Sequence, residues 1–279
     1  MPDKCNCENP LVPGIVEVFA IKEETPDVKS FFVRKPEGGL PFNVMPGQLA
    51  MVSLVPVGEG MYSVSWQEEQ DYLQFAIKKV GLVTEQLHRI EVGQKLGVRG
   101  PYGNGFPVED CRGKDMLFIG GGIGLAPLRS FIKYCFKHRE DFGKIQIIYG
   151  SRSYDDLCFK DELFDLWPQE KDSEVYVTID NPEEAWKGHV GFVPAYLEEL
   201  NPSPQGRIAV ICGPPIMIKF CLESLEKMGY SDEQVITTLE MRMKCGIGKC
   251  GRCNVGSQFI CLDGPVFNLA QLKQLPPEW

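Results

Sequence analysis

The sequence predicts three units in series: an antiparallel β-barrel, an α/β domain built on a parallel sheet, and a small C-terminal domain around a cysteine loop. Three observations carry this. Short apolar runs punctuated by Gly and Pro fill the chain from Gly14 to Pro107, strands alternate with helices after Gly113, and four cysteines crowd one glycine-rich run near the end. At 279 residues the chain has room for two or three such units.

The first unit is drawn over 11–110, behind a tail at 1–10. Its runs IVEVFAIKEE, KSFFVRK, QLAMVSLVPV, MYSVSW, YLQFAIKKV and QKLGVRGPYG are rich in β-branched and aromatic residues and bounded by turn formers, the pattern of short strands in a barrel or sandwich. One amphipathic segment, TEQLHRIEV, interrupts them as a helix.

The second unit is drawn over 111–236. MLFIGGGIG leads into APLRSFIKYCFKH, KIQIIYGSR into a helical CFKDELFDLW, then come EVYVTID, VPAYLEEL and RIAVICGPP before the helical IMIKFCLESLEKMG. Strands alternating with helices imply a parallel sheet with crossover helices. Gly120, Gly121, Gly122 and Gly124 sit where a strand turns into a helix, so backbone N–H groups and the helix dipole can meet a pyrophosphate. A structural tight turn has the same local pattern. CGPP, Cys212 to Pro215, ends a later strand, and ligands of open parallel sheets lie beyond the carboxyl ends of the strands. Both glycine turns should therefore border one crevice.

The third unit is drawn over 237–279. Cys245, Cys250, Cys253 and Cys261 follow the spacing C-x4-C-x2-C-x7-C, nearly the ligand pattern of a plant-type [2Fe–2S] centre. Gly246, Gly248 and Gly251 permit the positive-φ turns that bring thiolates and N–H groups to the cluster sulfurs. Asn254 to Ile260 reads as a tight hairpin returning the chain to the fourth cysteine. A zinc knuckle or disulfides are the alternatives, but structural zinc favours two separated pairs whereas three of these ligands share one loop. Cys5 and Cys7 form a further C-x-C pair, read as incidental thiols or as an extra ligand or partner contact.

A net charge of −9 without long acidic runs argues against nucleic acid or an anionic membrane as partner. No stretch approaches the apolar length of a membrane span, and MPDKCNCENPLVPG has no signal-peptide pattern. With eleven cysteines, four of them explained by metal, a reducing cytoplasm is expected.

GPYGNGF, GGGIGLAP, IYGSRSYDDL and CGPPIM together resemble the ferredoxin–NADP reductase superfamily, in which a flavin-binding barrel precedes a nicotinamide-binding domain. With CGIGKCGRC and CLDGPVF added, the chain from Leu11 onward is similar to the flavin and iron–sulfur electron-transfer subunits of sulfhydrogenases, anaerobic sulfite reductase and dihydroorotate dehydrogenase. This resemblance implies FAD, a [2Fe–2S] cluster and NAD(H), with NADP(H) possible, as cofactors.

The resemblance also implies roles for residues. Tyr62, Ser63, Val64 and Ser65 occupy the flavin motif, with Ser63 near the flavin N5. Gly60 stands where that motif has arginine, so the flavin phosphates would be held differently. Gly81 and Thr84 match the second flavin motif, where Thr84 caps the next helix. Gly120, Gly121, Gly122, Ile123, Gly124, Ala126 and Pro127 match the pyrophosphate turn. Ser151 and Arg152 would touch ribose or phosphate, while Gly213, Pro214 and Met217 flank the nicotinamide. Cys212 would sit beside nicotinamide C4 in the hydride path, and Glu240 near the flavin. Asp180 ends the strand EVYVTID where NADP-selective relatives hold the 2′-phosphate, and its carboxylate favours NAD. His88, His138 and His189 match no catalytic motif.

These expectations converge on one subunit of a larger redox complex. Hydride carries two electrons, a cluster accepts one, and a flavin converts between them. The partner would hold the terminal catalyst, of hydrogenase or sulfite/disulfide reductase type. A dihydroorotate dehydrogenase electron-transfer subunit is the first alternative, and a relay without nicotinamide binding the second.

Overall fold

The computed structural model describes residues 9–276, so Cys5 and Cys7 lie outside the described residues. Seven strands form the first unit: β1 (Gly14–Thr25), β2 (Val28–Arg34), β3 (Leu49–Leu54), β4 (Gly58–Ser63), β5 (Trp66–Glu68), β6 (Tyr72–Lys78) and, after helix α1 (Leu82–Leu87), β7 (Lys95–Tyr102). They pair antiparallel in the order β4-β3-β7-β1-β2-β6-β5. The two edge strands, β4 and β5, are separated in the chain only by Val64 and Ser65, so the sheet must curl back on itself. Alternate residues such as Val16, Val18, Phe31, Val33 and Val98 fill the resulting interior.

MYSVSW is thus two strands rather than one. The fully buried Ser65 donates its N–H and its hydroxyl to the Gln74 carbonyl, at 2.9 and 3.0 Å, and the chain changes sheet edge there. The helix expected from TEQLHRIEV starts two residues earlier and stops at Leu87, where the His88 ring turns to the Ile77 carbonyl at 2.8 Å.

In the second unit β8 (Asp115–Gly121), α2 (Leu125–Lys137), β9 (Ile145–Ser151), β10 (Ser173–Ile179), β11 (His189–Val190), α3 (Val193–Leu200), β12 (Arg207–Cys212), α4 (Pro215–Lys227) and β13 (Val235–Thr238) follow one another. Six of these strands are parallel, in the order β11-β10-β9-β8-β12-β13, and both sheet faces are covered. CFKDELFDLW is not an α-helix. Apart from a short helical start it forms a π-helical turn (Glu162–Leu166) followed by a 3₁₀ turn (Trp167–Gln169). Leu163 and Trp167 are both buried while Asp161 and Glu162 engage Lys22 and Arg129, so tertiary contacts outweigh regular helix geometry.

Beyond β13 the chain runs through the cysteine loop, the hairpin β14 (Asn254–Val255) and β15 (Gln258–Phe259), α5 (Ile260–Asp263), β16 (Val266–Asn268) and α6 (Leu269–Leu272). β16 pairs antiparallel with β13 at the edge of the nucleotide sheet. The boundary drawn between 236 and 237 therefore falls inside β13, and the C-terminal unit contributes β16 to that sheet. Among the described residues no helix is long and apolar enough to cross a membrane.

Candidate functional site

Two glycine turns meet at the carboxyl edge of the parallel sheet. A Cβ on Gly124 would lie 2.5 Å from the Cys212 carbonyl oxygen and 2.6 Å from the Gly213 Cα, and one on Gly213 would lie 3.1 Å from the Gly121 nitrogen. Side chains there would wedge the turns apart, so glycine is required by close backbone approach. The single crevice expected from the strand topology is present, a cleft of about 930 Å³ reaching from these turns to Val28 and Lys78 of the barrel. Its walls include Gly121 to Gly124, Ser151, Arg152, Asp180, Gly213, Pro214, Met217 and Glu240. Gly120, Ala126 and Pro127 lie behind it: Gly120 packs on Tyr149, and the other two are buried at the start of α2.

Tyr149, which sequence reasoning missed, supports the turn. Fully buried, it donates its hydroxyl to the Gly122 carbonyl at 3.0 Å and accepts from the Cys158 N–H at 3.1 Å. A tyrosine at the end of the isoleucine-rich run of a central strand, IQIIYGS, is the available signal. Ser151 spends its hydroxyl on the Ser153 carbonyl at 2.6 Å, and Arg152 pairs with Asp156 at 3.3 Å. Burial raises the Asp180 carboxyl, and nearby Arg152 pulls it back. Cys212 lies just under the cleft floor. Burial pushes its thiol up to about 12, so it stays protonated, and its sulfur is 3.1 Å from the Thr238 hydroxyl. Burial among cleft walls also raises the carboxyl of Glu240, although its side chain opens to solvent. The histidines have structural partners: His88 the Ile77 carbonyl, His189 Thr178 and Glu199, and His138 the Tyr134 ring.

On the barrel, the flavin-motif residues divide. Val64 is buried in the barrel core and Ser65 is consumed by Gln74 and by the Arg129 guanidinium, which donates to its carbonyl at 3.3 Å. Tyr62 and Ser63 remain half-buried on β4. A Cβ on Gly60 would come within 2.5 Å of the Tyr62 hydroxyl, so glycine at the arginine position makes room for this tyrosine. Thr84 is the third residue of α1 rather than a preceding cap. Its Oγ1 reaches back to accept from the N–H groups of Val80 and Gly81, at 2.8 and 3.0 Å. A Cβ on Gly81 would meet nothing within 4 Å, and the flanking Val80 and Leu82 are exposed apolar side chains, an open and partly apolar turn that a flavin nucleotide fits.

The cysteine loop is shaped for sulfur. The N–H groups of Ile247 and Lys249 point at Cys245 Sγ at 3.4 and 3.3 Å, and Gly248 N–H points at Cys261 Sγ at 3.2 Å. Gly246, Gly248 and Gly251 all have positive φ, and a Cβ on Gly246 would also strike the Tyr102 ring at 2.8 Å. Burial opposes ionisation of Cys245, but N–H groups from Ile247, Cys250 and Lys249 prevail and bring its thiol down to about 6. Burial pushes Cys261 up to about 12. Among the described residues no three His, Cys, Asp or Glu side chains converge as a single metal ion requires. Cys250 neighbours Cys245, and Cys261 lies within reach of both Cys253 and Cys245, so the four thiols share one end of the loop.

A second set of residues missed in the sequence anchors this loop. Gly103 N–H donates to the Cys261 carbonyl at 3.0 Å, and Asn104 donates to the carbonyls of Asp263 and Val266 while accepting from the Val266 N–H. The GPYGNGF turn of the barrel thus grips the cysteine segment.

Comparison with known proteins matches three family models along the chain. The oxidoreductase FAD-binding domain model matches residues 16–106, the oxidoreductase NAD-binding domain model 118–223, and the iron–sulfur cluster binding domain of dihydroorotate dehydrogenase B residues 240–273. Sulfhydrogenase 1 subunit gamma of Pyrococcus furiosus is 38% identical over 96% of this chain and 95% of its own length. A probable dihydroorotate dehydrogenase B electron transfer subunit of Thermococcus kodakarensis is 34% identical, over 94% and 98% respectively. Among solved structures, the NADH-dependent reduced ferredoxin-NADP oxidoreductase superposes with a TM-score of 0.77 at 25% identity, covering 94% of this chain and 90% of the other.

Proposed function

Since this chain belongs to the family of flavin and iron–sulfur electron-transfer subunits that includes sulfhydrogenase gamma and the dihydroorotate dehydrogenase B electron-transfer subunits, we propose that it exchanges hydride with NAD(H) and single electrons with a partner subunit. FAD, when bound, accepts a two-electron hydride and releases electrons singly, which the cluster carries one at a time. The observation that carries the reading is the cleft where both glycine turns meet beside the barrel, with the cysteine loop anchored to that same barrel.

Each part of the chain has a task in this scheme. Gly121 to Gly124 and the α2 N-terminus receive the pyrophosphate, while Gly213, Pro214 and Met217 admit the nicotinamide ring. Cys212, buried beneath the Gly213 turn and held by Thr238, keeps its proton and so offers no competing nucleophile to the hydride path. Glu240 stands at the cleft wall with a carboxyl raised above its ordinary value, a group able to hold or release a proton there. Asp180 accepts from a ribose diol and repels a 2′-phosphate, favouring NAD over NADP. Tyr62, Ser63 and the Gly81 turn hold FAD. Cys245, Cys250, Cys253 and Cys261 hold the [2Fe–2S] cluster, and the exposed Cys250, between exposed Lys249 and Arg252, presents it to the partner.

The partner is a catalytic subunit of hydrogenase or sulfite/disulfide reductase type, and the cytoplasm is its compartment, in keeping with the free cysteines throughout the described chain. Anaerobic titration of the purified chain with NADH tests the core of the reading. Flavin bleaching followed by loss of the oxidised cluster spectrum is expected; a spectrum indifferent to both NADH and NADPH would refute it.

A further inference from the structure

Arg99 lies on β7 with its side chain only 6% exposed, and it points out of the barrel into the cysteine loop. Nη1 donates to the Cys245 carbonyl at 2.7 Å and to the Tyr102 hydroxyl at 2.8 Å. Nη2 donates to the Lys244 carbonyl at 2.9 Å and to the Glu59 carboxylate at 3.0 Å. A guanidinium is costly to bury unless its donors are met. Here two of the acceptors are the carbonyls of the first cysteine and the residue before it. The compensating carboxylate, Glu59, is 43% exposed and therefore screened by water.

The positive charge is thus the better-buried member of the pair, fixed by hydrogen bonds to the backbone of a cluster ligand. Glu59 immediately precedes Gly60 on the flavin strand, so the same network ties that strand to the loop. Reduction of a cluster adds one negative charge. A fixed cation in a poorly solvated setting stabilises that charge and raises the reduction potential.

We propose that Arg99 is a positioning residue that sets the reduction potential of the centre held by Cys245, Cys250, Cys253 and Cys261 and fixes that centre against the barrel. The proposal rests on the reading of those cysteines as cluster ligands. The electron comes from NADH through the flavin, as in the proposed reaction, and no other reductant is needed.

The test is an EPR-monitored redox titration of the full chain, purified anaerobically, in wild-type, Arg99→Met, Arg99→Lys and Glu59→Gln forms. Arg99→Met should lower the cluster potential by on the order of tenfold in the reduction equilibrium, which for one electron is about 59 mV. Glu59→Gln, which leaves the cation less compensated, should raise it by a smaller amount. Arg99→Lys should stay nearer wild type, and NADH should bleach the flavin in every form. Opposite signs are the signature, because simple loosening of the loop would move both variants the same way. Equal potentials in wild type and Glu59→Gln, or shifts of one sign in Glu59→Gln and Arg99→Met, overturn the proposal. If Arg99→Met fails to retain a cluster, the Glu59→Gln potential decides. A wild-type protein that never shows a [2Fe–2S] signal overturns instead the cysteine assignment beneath it.

Discussion

Arg129 joins the nucleotide domain to the barrel, and replacing it with methionine should loosen the whole molecule. Its Nε and Nη2 form a fork on Glu162 at 2.5 and 2.8 Å, while Nη1 donates to Gln74 Oε1 at 2.8 Å and to the Ser65 carbonyl on the barrel. The guanidinium also lies 4.7 Å from the centre of the Phe159 ring. The two charged side chains are 7% and 13% exposed, so Arg129→Met strands a nearly buried carboxylate. Breaking such a pair from one side costs about 3–5 kcal/mol. Lys133, 3.8 Å from Glu162, offers partial compensation and places the expectation near the lower figure. At roughly 2–4 °C per kcal/mol, the apparent Tm should fall by on the order of 6–12 °C. Differential scanning calorimetry of the cofactor-loaded protein measures this, and stopped-flow bleaching by NADH should slow because the cleft between the domains loses its alignment. Arg129→Met with Glu162→Leu should recover much of the loss, since no charge is then stranded. A single variant within about 2 °C of wild type would show that solvent already screens the pair and that the bonds from Arg129 to Gln74 and Ser65 do little to join the domains.

Three further outcomes are expected. Cys250→Ser should lose or badly destabilise the cluster while FAD remains reducible by NADH; an unaltered cluster absorbance would remove Cys250 from the ligand set. Gly124→Ala forces a methyl against the backbone of Cys212 and Gly213, so stability should drop by about 1–3 kcal/mol and NADH affinity, measured by difference spectroscopy, by on the order of tenfold. Asp180→Ser should improve NADPH use relative to NADH by on the order of tenfold in kcat/KM, ~1.4 kcal/mol; unchanged relative rates would dissociate Asp180 from cofactor choice.

What was legible in the sequence is what local chemistry dictates. The period of the strands, the glycines at both nucleotide turns and the cysteine spacing each state a backbone requirement within a few residues, and the structure meets them. Arg99 and Asn104 were not legible in that way, because their partners lie more than a hundred positions away in the chain: Cys245 for one, Val266 for the other. The π-helical turn after Phe159 escaped for a related reason, as its residues read helical by pattern but are held by Arg129 and Lys22 from elsewhere. Thr84 shows a smaller slip of the same kind. Its capping chemistry was readable, but its position inside the helix depended on where Gly81 placed the first turn.

β16 gives the molecule an order of assembly. Until the chain beyond the cysteines has been made and folded back, β13 remains an unsatisfied edge of the nucleotide sheet, open to pairing with another chain. A ribosome-bound intermediate could therefore close its barrel early yet finish its dinucleotide domain only after the cysteine segment has emerged. Completion of the nucleotide sheet thus waits on the same stretch of chain that carries the cysteines.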